Sequence, residues 1–122
     1  MQQKIDKPWG YEIIWAKTDK YVGKILKINP GQKLSLQYHE KKTETIYVLD
    51  GTLELHLIDK AILLNKGETF HVEPNTVHRF ACPKDAWGVE LVEVSTPELD
   101  DVIRLQDDNG RTHGRISYEH GE

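Results

Sequence analysis

Short apolar runs broken by turn signals limit this chain more than any other feature. Tyr11 to Ala16 and Tyr21 to Ile28 read as strands, and Asn29-Pro30-Gly31 closes the second. Lys33 to His39 alternates less regularly, Thr45 to Leu49 is an apolar run, and Asp50-Gly51 reads as a hairpin turn. Leu53, Leu55 and Leu57 alternate with Glu54 and His56, the pattern of a half-buried strand with its leucines in the core. Turn signals at Asp59-Lys60 and Asn65-Lys66-Gly67 bracket Ala61 to Leu64. Thr69 to Glu73 ends at Pro74-Asn75, and Val77 to Ala81 and Val89 to Ser95 follow. Leu99 to Leu105 fits a short strand or a helical turn equally well. Strands recurring at roughly eight to twelve residues, with no long helical period, indicate an antiparallel sandwich or barrel.

Length and charge then bound the function. The chain has 122 residues, enough for one domain. Hydrophobic residues make up 38% and charged residues 30%, and the net charge is −4 with acids and bases interleaved. Non-specific binding to nucleic acid or an anionic membrane needs a basic excess, so neither is an expected partner. The single cysteine, Cys82, rules out an internal disulfide framework and a multi-cysteine zinc site, and reads as a small buried apolar residue. No signal peptide is visible, and no apolar stretch approaches the ~20 residues of a membrane span, so a cytoplasmic location is expected. The polar tail over 112–122 is expected to be partly mobile.

Four residues carry the chemical signal. Gln37, His39 and Glu44 lie in Gly31-x5-Gln37-x-His39-x4-Glu44-x6-Gly51, and His78 lies in Gly67-x5-Glu73-x-Asn75-x2-His78. Gln37 and His39 are two apart, so on a strand they share a face. Two imidazoles, a carboxylate and an amide oxygen make a ligand set for one divalent metal, zinc first, with manganese, iron, cobalt or nickel as alternatives.

These two glycine-bounded segments resemble the paired motifs of the cupin superfamily, with Gln37 in place of the usual first histidine and Asn75 in place of a turn glycine. Within that superfamily the chain is similar to the C-terminal cupin domain of type II mannose-6-phosphate isomerases. The shared segments are Lys7-Pro8-Trp9-Gly10, Pro30-Gly31-Gln32-Lys33-Leu34-Ser35-Leu36-Gln37, His78-Arg79, and Asp100-Asp101-Val102-Ile103-Arg104-Leu105-Gln106-Asp107-Asp108-Asn109-Gly110-Arg111. The resemblance implies an all-β fold, a single cupin domain (a double-stranded β-helix or jelly-roll barrel) over 7–111, followed by the tail over 112–122. It also implies a homodimer paired through edge strands. Where that family reads His-His-His-Arg-Ala-Glu-His-Trp, this chain reads His39-Glu40-Lys41-Lys42-Thr43-Glu44-Thr45-Ile46, so Lys42 keeps a positive charge but not a bidentate fork. The bifunctional relatives carry an N-terminal nucleotidyltransferase domain. A chain of 122 residues has no room for one, so nucleotide transfer is not expected.

The implied activity is aldose–ketose isomerisation of a sugar or sugar phosphate. That reaction moves a proton between C1 and C2, and a divalent metal helps by polarising the carbonyl and stabilising the enediolate. Candidate proton-transfer groups are Lys33, Lys42, Glu40, His71 and His56. Strict alternation would put Lys33 on the ligand face. Arg104 joins Lys33 and Lys42 as a catalytic candidate, while Lys24 and Arg79 are candidates for binding a substrate phosphate. Competing structural roles are equally definite. Arg79 adjoins His78 and should face the other way, and Arg104 lies in an acidic run that it would balance. His56 and His71 read as core or surface histidines, and His113 and His120 as solvated. Trp9, Trp15 and Trp87 read as packing anchors. The functional alternatives are another metal-dependent cupin reaction, oxygenation or lyase chemistry, and a sugar-binding or regulatory domain without turnover.

Overall fold

Alternation along the strands sets which side chains meet inside. The computed structural model describes residues 2–106 and the backbone of 114–115. The strands are β1 (Gln3–Lys7), β2 (Gly10–Lys17), β3 (Val22–Ile28), β4 (Leu36–Tyr38), β5 (Glu44–Asp50), β6 (Thr52–Leu57), β7 (Ala61–Asn65), β8 (Thr69–Val72), β9 (His78–Ala81), β10 (Val89–Ser95), β11 (Ile103–Gln106) and β12 (Gly114–Arg115). They form two six-stranded antiparallel sheets, β1-β2-β3-β10-β5-β8 and β12-β11-β4-β9-β6-β7. This is the all-β, double-stranded β-helix architecture, with no helix among the described residues. No helix there is long and apolar enough to cross a membrane.

Between the sheets lies a core of Trp9, Leu26, Ile28, Ile46, Val48, Leu53, Leu55, Leu64, Phe80, Cys82, Val89 and Leu91. A smaller cluster, Ile14, Val22 and Leu99 with Ile5, lies apart from it. Cross-strand pairing shows what separates the two. On the inner face of the first sheet, Val48, Leu91, Leu26 and Glu12 form one row and Ile46, Glu93, Lys24 and Ile14 the next. Glu44, Ser95 and Val22 form a third. The charged members therefore run diagonally, from Glu44 through Glu93 and Lys24 to Glu12, between the two apolar clusters.

Several local expectations change. Asp50-Gly51 does not close a hairpin, because β5 and β6 belong to different sheets. The turn signal encoded a tight corner: Gly51 has φ +85°, and a Cβ there would lie 2.5 Å from the Gly88 carbonyl oxygen. A turn sequence specifies backbone shape, not which strands then pair. Asn75 takes the left-handed conformation at φ +66°. The segment Leu99 to Leu105 resolves into a turn followed by β11. An edge strand, β1, precedes the first strand expected, and its exposed polar pattern explains why it gave no signal.

Trp9 is a packing anchor, but Trp15 and Trp87 are not buried ones, being 42% and 96% exposed. Trp15 covers the bare backbone of Gly23 on the outer face. Cys82 is buried, as expected. The histidines of the tail, His113 and His120, lie outside the described residues, as does most of 112–122.

Candidate metal centre

His39, Glu44 and His78 come together from three parts of the chain. Their ligating atoms lie within 4.8 Å of one another and all three residues are buried. Strand β5 brings Glu44 inward with Ile46 and Val48. Strand β9 brings His78 inward with Phe80, and the two rings meet in a tilted contact with centroids 5.4 Å apart. His39 follows the three-residue strand β4, and its carbonyl accepts the amide of the left-handed Asn75 at 2.6 Å. The turn that replaces a glycine by Asn75 thus ties the two sequence motifs together.

Each imidazole has one nitrogen spoken for. His39 Nδ1–H donates to the Asp101 carbonyl at 2.6 Å, and His78 Nδ1–H donates to the Thr76 carbonyl at 2.8 Å. A carbonyl only accepts, so both Nδ1 atoms carry a proton and Nε2 is the atom that each ring turns toward Glu44, where a neutral imidazole offers a lone pair to a metal. Among the described residues neither Nε2 has a hydrogen-bond partner, although both are buried. They lie 3.4 and 3.7 Å from the two oxygens of Glu44. Lone pairs and a carboxylate converging in a dry site repel unless a cation sits among them. Ligand atoms around a zinc-sized ion at ~2.1 Å stand roughly 3–3.5 Å apart, so the set fits a divalent metal. Outer hydrogen bonds of this kind orient metal-bound histidines.

Gln37 pairs across strands with His78 and, with Glu44, lines a small cavity beside the cluster. Its Oε1 accepts the Ser35 hydroxyl at 2.7 Å, leaving a second lone pair for an ion. Burial alone would raise the Glu44 pKa, but Lys42 first, and the two imidazoles in their protonated form, outweigh it and hold the carboxylate well below its ordinary value. Burial, helped by His39 and Lys42, keeps His78 below its ordinary value despite Glu44, which favours the neutral ligand form.

Beside the cluster lies a cavity of about 30 Å³, lined by Glu12, Lys24, Gln37, Lys42, Glu44 and Glu93 with apolar walls including Trp9, Leu34 and Phe80. That is room for an ion with one or two waters. Lys42 Nζ lies 3.3 Å from Glu44 and 3.7 Å from Glu93, and Lys24 Nζ lies 3.7 Å from Glu12. Burial opposes the charge on Lys42, yet Glu44 and Glu93 raise its pKa far above the ordinary range. Lys24 is lowered by burial and by Lys42, and Glu93 is raised by burial and by Glu44.

The other sequence candidates take different places. Lys33 is not among the cavity-lining residues. Leu34 N bonds Phe80 O while Gln37 pairs with His78, so two inward positions are three apart and an extra residue breaks the alternation. That irregularity pairs Lys33 with Ala81, on the opposite face. Arg79 faces away from His78, and its Nε and Nη2 donate to the carbonyls of Leu34 and Gln106. Arg104 is buried and pairs across strands with Gln37, hence on the inner face. Glu40 is exposed. His56 bonds Glu54, and the exposed His71 bonds Thr45 and Glu73, all away from the cavity.

Sequence reasoning missed Glu12 and Glu93. A signal existed for Glu93, which has the parity of the inward Val89 and Leu91, and for Glu12, which has the parity of Ile14. Asp101 lies in a segment shared with the family, but nothing in the sequence set it apart from Asp100.

A β-sandwich barrel with paired histidines and a carboxylate inside defines a cupin. Known structures agree. The fold matches KdgF from a Halomonas species with TM-score 0.71 at 22% identity, over 83% of this chain and 91% of that one. It also matches an RmlC-like cupin from Shewanella frigidimarina with TM-score 0.70 at 18% identity, over 83% and 88%. The family model described as the mannose-6-phosphate isomerase C-terminal domain matches residues 1–107, and the chain belongs to that family. Among its relatives, the xanthan biosynthesis protein XanB of Xanthomonas campestris is 30% identical over 90% of this chain. The alginate biosynthesis protein AlgA of Pseudomonas aeruginosa is 31% identical over 89%. The mannose-1-phosphate guanylyltransferase ManC of Salmonella typhimurium is 31% identical over 91%. The chain spans only about a quarter of the length of these curated relatives: 24%, 23% and 24%.

Proposed function

We propose that the protein is a metal-dependent aldose–ketose isomerase acting on mannose 6-phosphate or a closely related sugar. The observation that carries this reading is the buried His39, Glu44 and His78 cluster, with both Nε2 atoms turned onto one carboxylate beside a charged cavity. A divalent cation held by these three with Gln37, zinc first, supplies Lewis acidity toward a carbonyl. Lys42 and Lys24 present ammonium groups to a developing oxyanion, and Lys42 stays charged between Glu44 and Glu93. That charge makes Lys42 a donor and not a base. Glu93, a cavity-lining carboxylate, is the group we assign to carry the proton between the two sugar carbons. Arg104 supports the site from beside Gln37. A cytoplasmic, homodimeric protein is part of the same proposal.

Deuterated water tests it directly. Zinc-, manganese- or cobalt-loaded protein incubated with mannose 6-phosphate should yield fructose 6-phosphate labelled from solvent at C1 and, on reversal, mannose 6-phosphate labelled at C2. Neither product nor label would end the isomerase reading. The run Glu40-Lys41-Lys42, which stands where the family carries His-His-Arg, favours one alternative, a sugar-binding or regulatory domain that keeps the metal without turnover. Sugar binding by the loaded protein, with no label, no oxygen consumption and no new product, would establish that alternative over isomerase, lyase or oxygenase chemistry.

A further inference from the structure

The turn from His39 to Thr43 has no ladder of its own, yet every residue in it is tied to a single segment, 96–101. His39 Nδ1–H donates to the Asp101 carbonyl at 2.6 Å. The next three backbone amides, of Glu40, Lys41 and Lys42, all donate to the Asp101 carboxylate at 3.2, 2.7 and 3.0 Å. Thr43 N donates to Thr96 Oγ1 at 3.1 Å, and Thr96 N returns a bond to Thr43 O at 3.0 Å. Successive amides pointing at one anion form a concave binding nest, and here the anion is the protein's own. The turn carries His39 at its start and Lys42 near its end, and Glu44 follows it. Asp101 therefore grips the one irregular stretch that joins two of the three ligands.

We propose that Asp101 is a positioning residue for the centre, its carboxylate holding the 40–42 amides so that its own carbonyl fixes the ring of His39. The inference rests on reading His39, Glu44 and His78 as metal ligands. It assigns Asp101 no contact with metal or substrate. Its neighbour Asp100 is exposed and carries the same charge, which separates geometry from simple electrostatics.

The test uses the full chain and cobalt ion alone. Asp101→Ala should weaken cobalt binding roughly 10–100-fold, the range seen when an outer partner of a ligand is lost. Asp101→Asn, which keeps the shape and one acceptor oxygen, should fall between wild type and Asp101→Ala and guards against simple misfolding. Asp100→Ala should bind as wild type does. In the metal-free protein, ¹⁵N spectra should show His39 protonated at Nδ1 in wild type, with slow exchange of the 40–42 amides. Asp101→Ala should lose both signatures.

Wild-type cobalt affinity and an unchanged His39 tautomer in Asp101→Ala would overturn the proposal. Equal losses in Asp100→Ala would also overturn it, since charge alone would then explain the effect. If wild type takes up no cobalt, the metal reading fails instead, and the His39 tautomer in Asp101→Ala still decides for or against the positioning role.

Discussion

One face of the first sheet carries two kinds of interior. Ile46, Val48, Leu91, Leu26 and Ile28 form an ordinary apolar core, and on the same strands Glu44, Glu93, Lys24 and Glu12 form a buried charged band. The apolar half is stabilised by burial in proportion to area and tolerates changes of similar volume. The charged half is stabilised only as a set, because each buried charge depends on a neighbour of opposite sign. A buried charged set contributes little net stability over an apolar core of the same volume, so the band marks a candidate site within an otherwise ordinary interior.

The largest expected effect comes from breaking the band. Lys24→Met leaves Glu12 beside an apolar side chain and should cost about 3–5 kcal/mol in urea unfolding. Adding Glu12→Gln should recover much of that loss. A Lys24→Met protein as stable as wild type would show that the band is not electrostatically coupled. In the apolar half, Leu55→Ala should cost about 2–5 kcal/mol, with no second-site substitution of a charge able to restore it.

Metal comes next in size. Zinc at 100 times its dissociation constant should stabilise wild type by about 2.7 kcal/mol, and the gain should vanish in Glu44→Gln.

Acidity sharpens the contrast further. His78 has a folded pKa below its ordinary 6.5, so its contribution is present above 6.5 and is lost as pH falls through the lowered value. Glu44 is held well below 4.5, so its contribution is present above 4.5 and is lost as pH falls through that lower value. Metal-free protein should therefore weaken from pH 6.5 downward, and zinc binding should weaken over the same descent as protons compete for Nε2. A flat stability profile from pH 7 to 5 would contradict the His78 assignment. The smallest effect belongs to the surface: Trp87→Ala should change stability by no more than about 0.5 kcal/mol.

Much of the fold was legible because alternation and turn chemistry are local. Leu53 and Leu55 announced an inward face, and the spacing of turn residues announced an antiparallel barrel. What pairs with what was not local, so Asp50-Gly51 was read as a hairpin when it turns a corner between sheets. At the site, His39, Glu44 and His78 were legible from motif spacing and do converge. Lys33 was misplaced because one extra residue between Leu34 and Gln37 inverts the faces, which strict alternation cannot foresee. Glu12 and Glu93 were hidden by habit, since charged residues on strands are ordinarily read as facing solvent. The contacts of Asp101 could not be read from its shared segment, because they are made to the backbone amides of 40–42, which have no sequence signature.

The central claim is that His39, Glu44 and His78 hold a divalent metal. Titrating metal-stripped protein with zinc, while following bound ion per chain and proton release, tests it most directly. The account predicts one ion per chain for wild type. It also predicts a loss in Glu44→Gln exceeding the roughly 10–100-fold that follows loss of an outer partner. No saturable binding by wild type, or equal binding by Glu44→Gln, would contradict it.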